Sequence, residues 1–166
     1  MARRGDLSQG MAMDDLTNLA ARLRLLEDRE EIRELIARYG PLADSGDAEA
    51  LSELWVEDGE YAVVGFATAK GRAAIAALID GQTHRALMAD GCAHFLGPAT
   101  VTVEGDTATA RCHSVVFRCV SGTFGSHRVS ANRWTFRRTP AGWRAVRREN
   151  ALLDGSAAAR ALLQFR

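Results

Sequence analysis

Four residues of the 166-residue chain combine an acid, a base and two phenols: Asp44, His94, Tyr39 and Tyr61. A carboxylate that orients an imidazole makes a general base that works near neutral pH. A phenol beside such a pair can polarise a carbonyl group or a leaving group. These residue types therefore predict acid–base chemistry that needs no cofactor.

Each of these residues also has a structural interpretation. Asp44 can cap the turn that follows it, and a single histidine such as His94 at the start of a strand is typical of a hydrogen-bonded core residue. Tyr39 lies on the apolar stripe of a helix and Tyr61 alternates along a strand, so either ring can simply fill the core. The chemical interpretation depends on whether the fold brings the four side chains together.

The elements that would position these side chains are helices in the first half of the chain and strands in the second. Apolar residues recur at helical spacing over residues 14–39, and Gly40-Pro41 predicts the end of this helix. A short helix capped by Asp47, a strand over 59–66 and an Ala-rich helix over 72–88 follow. The β-rich runs after Gly91, separated by turn signals, are 93–104, 107–120, 127–138 and 143–152.

Helices followed by an antiparallel meander predict an α+β fold, in which a curved sheet wraps around the helices and forms a cone with a pocket. Residues 1–12 are predicted to be a flexible tail and residues 13–166 a single domain. The segment 156–165 predicts a short helix or tail that closes the pocket or reaches a neighbouring subunit.

Composition excludes several classes of function. The 21 basic and 21 acidic residues give zero net charge, which argues against nucleic acid or an anionic membrane as a partner. Three cysteines without C-x-x-C spacing argue against a disulfide framework or structural zinc and favour the cytoplasm. The four histidines show no metal-binding spacing, and no signal-peptide or membrane-spanning run is present, so no metal, cofactor or membrane is predicted.

Several stretches resemble the SnoaL-like branch of the NTF2-like superfamily over about residues 25–150. They are REEIRELIARYGPLADSGDAEALSELWVEDGEY, KGRAAIAALI, AHFLGPATVTVEGDTATAR and NRWTFRRTPAGWRA. The resemblance implies the NTF2-like cone, with N-terminal helices packed against a strongly curved, mainly antiparallel sheet. The branch includes scytalone dehydratase, bile-acid dehydratase, hexachlorocyclohexane dehydrochlorinase and polyketide cyclases, so the resemblance is stronger for fold than for reaction.

The resemblance also implies roles for particular residues. In the lyases of this group an Asp after the first helix holds a His on the sheet, and Asp44 and His94 match that pair. Tyr39 and Tyr61 match the tyrosines of the dehydratases, and Asn132 matches an amide that contacts substrate. No Lys occupies residues 40–43, where the dehydrochlorinase uses a cation, so halide abstraction is not expected.

Three more residues are predicted to bind substrate: His113, Arg148 and Trp55. Arg147 and Arg148 alternate on the last strand, so one of them faces inward and can hold an anionic or carbonyl oxygen. Alternation puts His113 on the face opposite the small residues of its strand, so a bulge would have to turn it towards the pocket. Without a bulge, His113 lies on the convex face, at a subunit interface.

The resulting prediction is a cofactor-independent lyase or isomerase of the dehydratase type, acting on a small, cyclic, largely apolar substrate. The alternatives are a polyketide cyclase that depends on Asp44 alone, and a non-catalytic ligand-binding or assembly subunit of the same fold. A homo-oligomer is also predicted, with a trimer favoured over a dimer. It would form through an apolar sheet face that carries Val115, Phe117, Val129 and Ala131.

Overall fold

A computed structural model describes residues 5–65 and 67–165, with side chains from residue 13 onward. Residues 1–4 of the predicted tail lie outside the described residues, and residues 5–12 continue the backbone of the first helix. The α+β prediction is confirmed. The elements are α1 (Gly5–Ser45), α2 (Ala48–Ser52), β1 (Trp55–Val63), β2 (Ala67–Lys70), α3 (Arg72–Asp80), α4 (Gln82–Asp90), β3 (Cys92–Leu96), β4 (Thr100–Glu104), β5 (Thr107–Val120), β6 (Thr123–Thr139), β7 (Gly142–Leu152) and α5 (Ala157–Leu163).

Helix α1 does not end at Gly40-Pro41, as the sequence predicted, but continues to Ser45. Proline removes one intrahelical hydrogen bond and normally kinks or ends a helix. Here the turn around Pro41 is held by packing, because Tyr39 and Ala43 on either side of it are buried in the core. Tertiary contacts therefore outweigh the local preference.

Gly40 lets the last turns of α1 pass directly over β3. A Cβ atom at this position would overlap the backbone carbonyl oxygen of His94. Only glycine allows so close an approach. The contact carries Asp44, one turn further along α1, to the strand that holds His94.

The sheet has the strand order β2-β1-β7-β6-β5-β3, and β4 also pairs with β5. All pairs are antiparallel except β1 with β7. The predicted meander is therefore present over β5, β6 and β7. Irregularities interrupt the register between Val116 and Phe117 and between Thr135 and Phe136. Such bulges increase the local bending of a sheet.

Three predicted elements have different bounds in the structure. The predicted helix 72–88 is two helices, because Gly81 adopts an extended conformation with ψ 151°. The predicted strand 93–104 is split into β3 and β4 at Gly97-Pro98, where proline cannot donate to a ladder. Strand β1 begins at Trp55, four residues before the predicted position 59.

The core lies between the inner face of the sheet and helices α1, α2 and α3. Its largest fully buried side chains include Trp55, Trp134, Trp143 and Phe136. On the outer face, α5 covers Ala131, so this residue is not part of an exposed oligomer face as predicted. Within the described part of the chain, no helix combines the length and apolarity needed to span a membrane.

Candidate active site

Asp44 and His94 form a hydrogen-bonded pair between the end of α1 and β3. Nδ1 of His94 lies 2.6 Å from Oδ1 of Asp44, and the backbone N–H of His94 donates to Oδ2 at 2.8 Å. An ionised carboxylate can only accept, so Nδ1 carries the proton that it donates. The remaining ring nitrogen, Nε2, then has a free lone pair, and the predicted contact between these two residues is present.

Burial sets the charge state of this histidine. The His94 side chain is only 12% exposed. Burial lowers its pKa below the ordinary value of 6.5, and the Asp44 carboxylate opposes this effect only in part. The imidazole is therefore neutral at neutral pH, which is the form that can accept a proton.

Cys92 is a third group on the same carboxylate. Its Sγ donates to Oδ1 of Asp44 at 3.4 Å. Burial and the neighbouring carboxylate raise the pKa of the Cys92 thiol to about 11, so the group stays protonated and donates. Cys92 thus helps to fix the orientation of Asp44.

These three residues are also a potential metal site, since their ligand atoms lie within 4.8 Å of one another. A bound metal would need a Cys92 thiolate and a deprotonated His94 Nδ1. The raised thiol pKa and the 2.6 Å hydrogen bond oppose both requirements. The groups present fit a hydrogen-bonded triad better than a metal centre.

His94 opens onto a cavity of about 300 Å³ on the inner face of the sheet. This volume is at the small end of ligand pockets. Apolar residues form much of the wall, from β1, β2, α3, α4, β3 and β5: Val63, Ala67, Ala69, Leu78, Ile79, Leu87, Phe95, Leu96, Val115 and Val116. The cavity therefore suits a small, largely apolar molecule that presents one reactive group to His94.

Tyr39, Tyr61 and Arg148 line the same cavity. The guanidinium carbon of Arg148 lies 4.1 Å from the centre of the Tyr39 ring and 4.7 Å from that of Tyr61. Burial raises the pKa of Tyr39, so its phenol stays protonated and can donate a hydrogen bond. The predicted tyrosines and the predicted inward arginine thus share one site with the Asp44–His94 pair.

Asn132 lies beneath the cavity and holds Arg148. It is fully buried and does not line the cavity. Its Oδ1 accepts hydrogen bonds from Nε and Nη2 of Arg148 at 3.0 and 2.9 Å and from Asn150, while its Nδ2 donates to Ser114. Asn132 positions the guanidinium group, so the predicted direct contact with substrate is not supported.

Two other predicted substrate ligands lie away from the cavity. Trp55 is completely buried behind the tyrosines, with ring centres 6.2 Å from both Tyr39 and Tyr61, and packs as core. His113 is exposed and does not line the cavity. The irregularity between β5 and β6 comes after Val116, and its extra residue is His127 on β6, so it does not turn His113 inward.

The sequence interpretation missed three basic residues of the cavity wall: His84, Arg128 and His127. The His84 ring centre lies 5.3 Å from that of His94, and its Nε2 donates to the Ala43 carbonyl at 2.8 Å. Alternation along β6 could have identified Arg128, because it is two and four residues before positions on the inner face. His84 carried no comparable signal, since its helix was expected to continue from α3.

The chain belongs to the SnoaL-like domain family, whose model matches residues 24–149. This match confirms the resemblance found in the sequence and the NTF2-like fold. No curated protein matches the sequence.

Solved structures with the same fold come from several bacteria. A variant of Rv3472, a Mycobacterium tuberculosis protein of unknown function, is 21% identical with a TM-score of 0.71, over 84% of this chain and 86% of that one. A Catenulispora acidiphila protein in complex with S-DNPA is 17% identical with a TM-score of 0.68, over 82% and 98%. A proposed NTF2-like dehydratase from Streptomyces avermitilis is 21% identical with a TM-score of 0.60, over 77% and 97%. These similarities establish a shared fold only, so the reaction has to be inferred from the residues of the site.

Proposed function

We propose that this protein is a cofactor-independent lyase of the dehydratase type, acting on a small, cyclic, largely apolar β-hydroxy ketone. The observation that carries the proposal is the Asp44–His94 pair at the wall of an apolar cavity. Because Asp44 holds Nδ1, the lone pair of Nε2 is free to act as a base. An isomerase uses the same first step but returns the proton to another carbon of the substrate, whereas a dehydratase delivers it to a departing hydroxide.

The reaction begins when Nε2 of His94 removes a proton from the carbon next to the substrate carbonyl. The C–H electron pair moves to form an enolate, and Asp44 stabilises the imidazolium ion that results. As the enolate collapses, the β carbon–oxygen bond breaks and a carbon–carbon double bond forms. The proton on His94 passes to the departing hydroxide, which leaves as water.

The enolate oxygen needs hydrogen-bond donors that are already in position. Tyr39 and Arg148 are fixed by burial and by the amide of Asn132, and Tyr61 lies against the same guanidinium group. Donors held in place stabilise developing charge without reorganisation. An acid–base pair contributes about 10²- to 10⁴-fold, which is enough for an activated β-hydroxy ketone.

Two relatives are consistent with this proposal. The Streptomyces avermitilis protein is itself a proposed dehydratase, and the Catenulispora acidiphila protein carries the small ligand S-DNPA. A non-catalytic subunit would not need a base held at 2.6 Å from a carboxylate at the cavity wall. A cyclase that uses Asp44 alone would need that carboxylate to face the substrate, whereas both of its oxygens are engaged by His94.

The test is turnover of cyclic β-hydroxy ketones, beginning with 3-hydroxy-1-tetralone, whose dehydration gives fluorescent 1-naphthol. His94→Gln should lower turnover by about 10²-fold or more, and Asp44→Asn should come close to it, because the pair acts as one unit. The double variant should be little worse than His94→Gln alone.

The matched control is His113→Gln, which makes the same change at an exposed histidine outside the cavity. It should keep wild-type turnover. A folded His94→Gln protein that retains near wild-type turnover would rule out the proposed mechanism. If Asp44→Asn then lost activity, the cyclase alternative would replace it.

We further propose that the chain forms a homo-oligomer, a trimer in preference to a dimer, as the lyase resemblance implies. The outer sheet face exposes Phe124 and Val129, at 61% and 38%. Helix α1 adds an apolar stripe at the 3-4-3 spacing of a coiled-coil seam. Its members are Leu16, Leu19, Leu23 and Leu26, each more than half exposed. A monomer rarely leaves this much apolar surface uncovered.

Light scattering measures the oligomer directly. The expected mass is a multiple of 18.0 kDa, and a mass of 18.0 kDa at micromolar concentration would contradict the proposal. Leu19→Asp and Val129→Asp identify which surface is used, since only the variant at the interface should release monomer. Thr17→Asp, on the same exposed helix but off the stripe, is the control for α1.

A further inference from the structure

We propose that the ligand of the cavity is an organic anion, in which an apolar ring system carries one carboxylate or enolate group that lies against Arg148 and Arg128. The inference deepens the proposed function by naming the anionic group that the two arginines hold, either a carboxylate of the substrate or the enolate formed from it. It rests on that function only in taking this cavity as the substrate site. Its basis is the distribution of charge on the cavity wall.

Among the described residues, Arg148 is a buried cation without a carboxylate partner. The residue is 3% exposed, and its polar contacts are to neutral groups, the amide of Asn132 and the phenol of Tyr39. Nη1 has no hydrogen-bond partner among the described residues. Buried charges in proteins are normally paired, because an unpaired one loses the solvation that water would supply.

Aromatic rings explain how the fold tolerates this cation. The guanidinium carbon lies within 4.7 Å of the ring centres of Tyr39, Tyr61 and Trp134. The faces of these rings attract a cation and exclude water from it. They do not neutralise its charge, so an anion that reaches Arg148 finds a desolvated and oriented donor.

Arg128 is a second guanidinium group on the same wall, and it is also held by neutral oxygens. Its Nε donates to Oγ of Ser130 at 3.0 Å and its Nη2 to Oδ1 of Asn150 at 2.9 Å. Asn150 in turn donates to Oδ1 of Asn132, the same oxygen that accepts from Arg148. One amide network therefore fixes both cations and leaves both charges uncompensated.

The acidic groups nearby do not balance these two charges. The residues that line the cavity include no Asp or Glu. The neighbouring carboxylates on β1 and β7, Glu60 and Glu149, pair with Lys70, Arg147 and Arg133 instead. The cavity wall therefore carries two guanidinium groups, and the nearby carboxylate of Asp44 lies behind His94, to which it is hydrogen-bonded. The positive charge of the two arginines fits an anionic ligand.

Binding of matched probe pairs tests the inference by calorimetry at neutral pH. Naphthalene-2-carboxylate and naphthalene-2-carboxamide have nearly the same shape and differ in charge. Dimedone, an enolate at this pH, and its uncharged methyl enol ether form the second pair. Wild-type protein should bind the charged member of at least one pair about tenfold more tightly, as for one charge-assisted hydrogen bond.

The pairs also identify the anionic group. If only the first pair shows a preference for the charged probe, the ligand is a carboxylate. If only the second pair does, the ligand is an enolate, and a preference in both pairs indicates that any delocalised oxyanion binds. Equal affinity within both pairs would overturn the inference. It would leave the loss of turnover in His94→Gln as it stands, so the two proposals fail separately.

Variants connect the preference to the arginines. Arg128→Gln should reduce the preference for the charged probe about tenfold, because the glutamine amide keeps polarity but loses the charge. Arg133→Gln makes the same change on the same strand, at a residue paired with Glu149 outside the cavity, and should leave the preference unchanged. Arg148→Gln changes a buried group and can unfold the protein. The wild-type comparison and Arg128→Gln therefore decide whether the inference holds. If Arg128→Gln keeps the wild-type preference for the charged probe, Arg128 does not bind the anionic group.

Discussion

Arg138 and Arg148 come from neighbouring strands and both lie against aromatic rings, but only one of them has carboxylate partners. Arg138 donates to both oxygens of Asp28 at 2.7 Å and lies 4.5 Å from the centre of the Trp143 ring. Arg148 lies against three aromatic rings and the amide of Asn132, and no carboxylate of residues 13–65 and 67–165 lies within ion-pair distance of it. The sheet therefore carries a compensated cation at one end and an uncompensated cation at the other.

The difference separates a structural site from a binding site. At the first end, the Arg138 guanidinium and the Trp143 indole N–H both donate to Asp28, whose pKa they hold below its ordinary value of 3.8. That network is complete and connects α1 to β6 and β7. At the cavity end, Nη1 of Arg148 has no acceptor among the described residues. A ligand that supplies an acceptor there would gain binding free energy.

Among variants that alter the two ends of the sheet, the largest expected effect is the loss of stability on substitution of Asp28. Asp28→Asn should lower the free energy of unfolding by about 3 kcal/mol, because it removes the buried carboxylate to which the Arg138 guanidinium and the Trp143 indole donate. Chemical denaturation measures this loss. Asp106, the exposed second partner of Arg138, is the control, and Asp106→Asn should cost less than about 1 kcal/mol. Similar losses in the two variants would show that Asp28 does not act as a buried partner.

A smaller effect is expected at the cavity end, on turnover instead of stability. Tyr61→Phe removes one phenol beside the guanidinium group and should lower kcat about tenfold, the equivalent of one hydrogen bond to developing charge. The melting temperature should stay close to wild type, since the ring that packs against Trp55 is kept. A change in stability without a change in kcat would make Tyr61 a core residue only.

The smallest expected effect is the dependence of the free energy of unfolding on pH, which also distinguishes the two ends of the sheet. The folded-state pKa of His94 is below 6.5, so the unfolded chain binds more protons than the folded one just below pH 6.5, and stability falls as pH falls through this window. Asp28 has a lowered pKa, so its contribution is present above pH 3.8 and is lost as pH falls below that value. Denaturation across pH should place the two losses in separate windows.

His94→Gln should remove the first of these windows and leave the second unchanged. The pH profile of kcat/KM should show the same base, with activity retained at neutral pH and lost on the acid side, below 6.5. An acid limb that lies above pH 6.5 would contradict the buried, neutral state of this histidine.

The sequence predicted the type of fold because helices and strands follow local patterns, and it predicted the reacting pair through the family resemblance. Period-two alternation and turn residues marked β5, β6 and β7, and helical spacing marked α1. The resemblance then matched Asp44 and His94, and their side chains meet in the structure. Local patterns were less reliable at Pro41, where burial of the surrounding turn outweighs the intrinsic tendency of proline to end a helix.

What only the tertiary structure decided is which side chains share the cavity. The sequence by itself determined an α+β chain with an acid, a base and two phenols at matching positions. Packing decided that Trp55 and Asn132 support the site from behind, that His113 faces outward, and that His84 and Arg128 join the wall. The physical reason is that charge compensation depends on neighbours in space: the carboxylate that pairs with Arg138 comes from Asp28 in α1, 110 residues earlier in the chain.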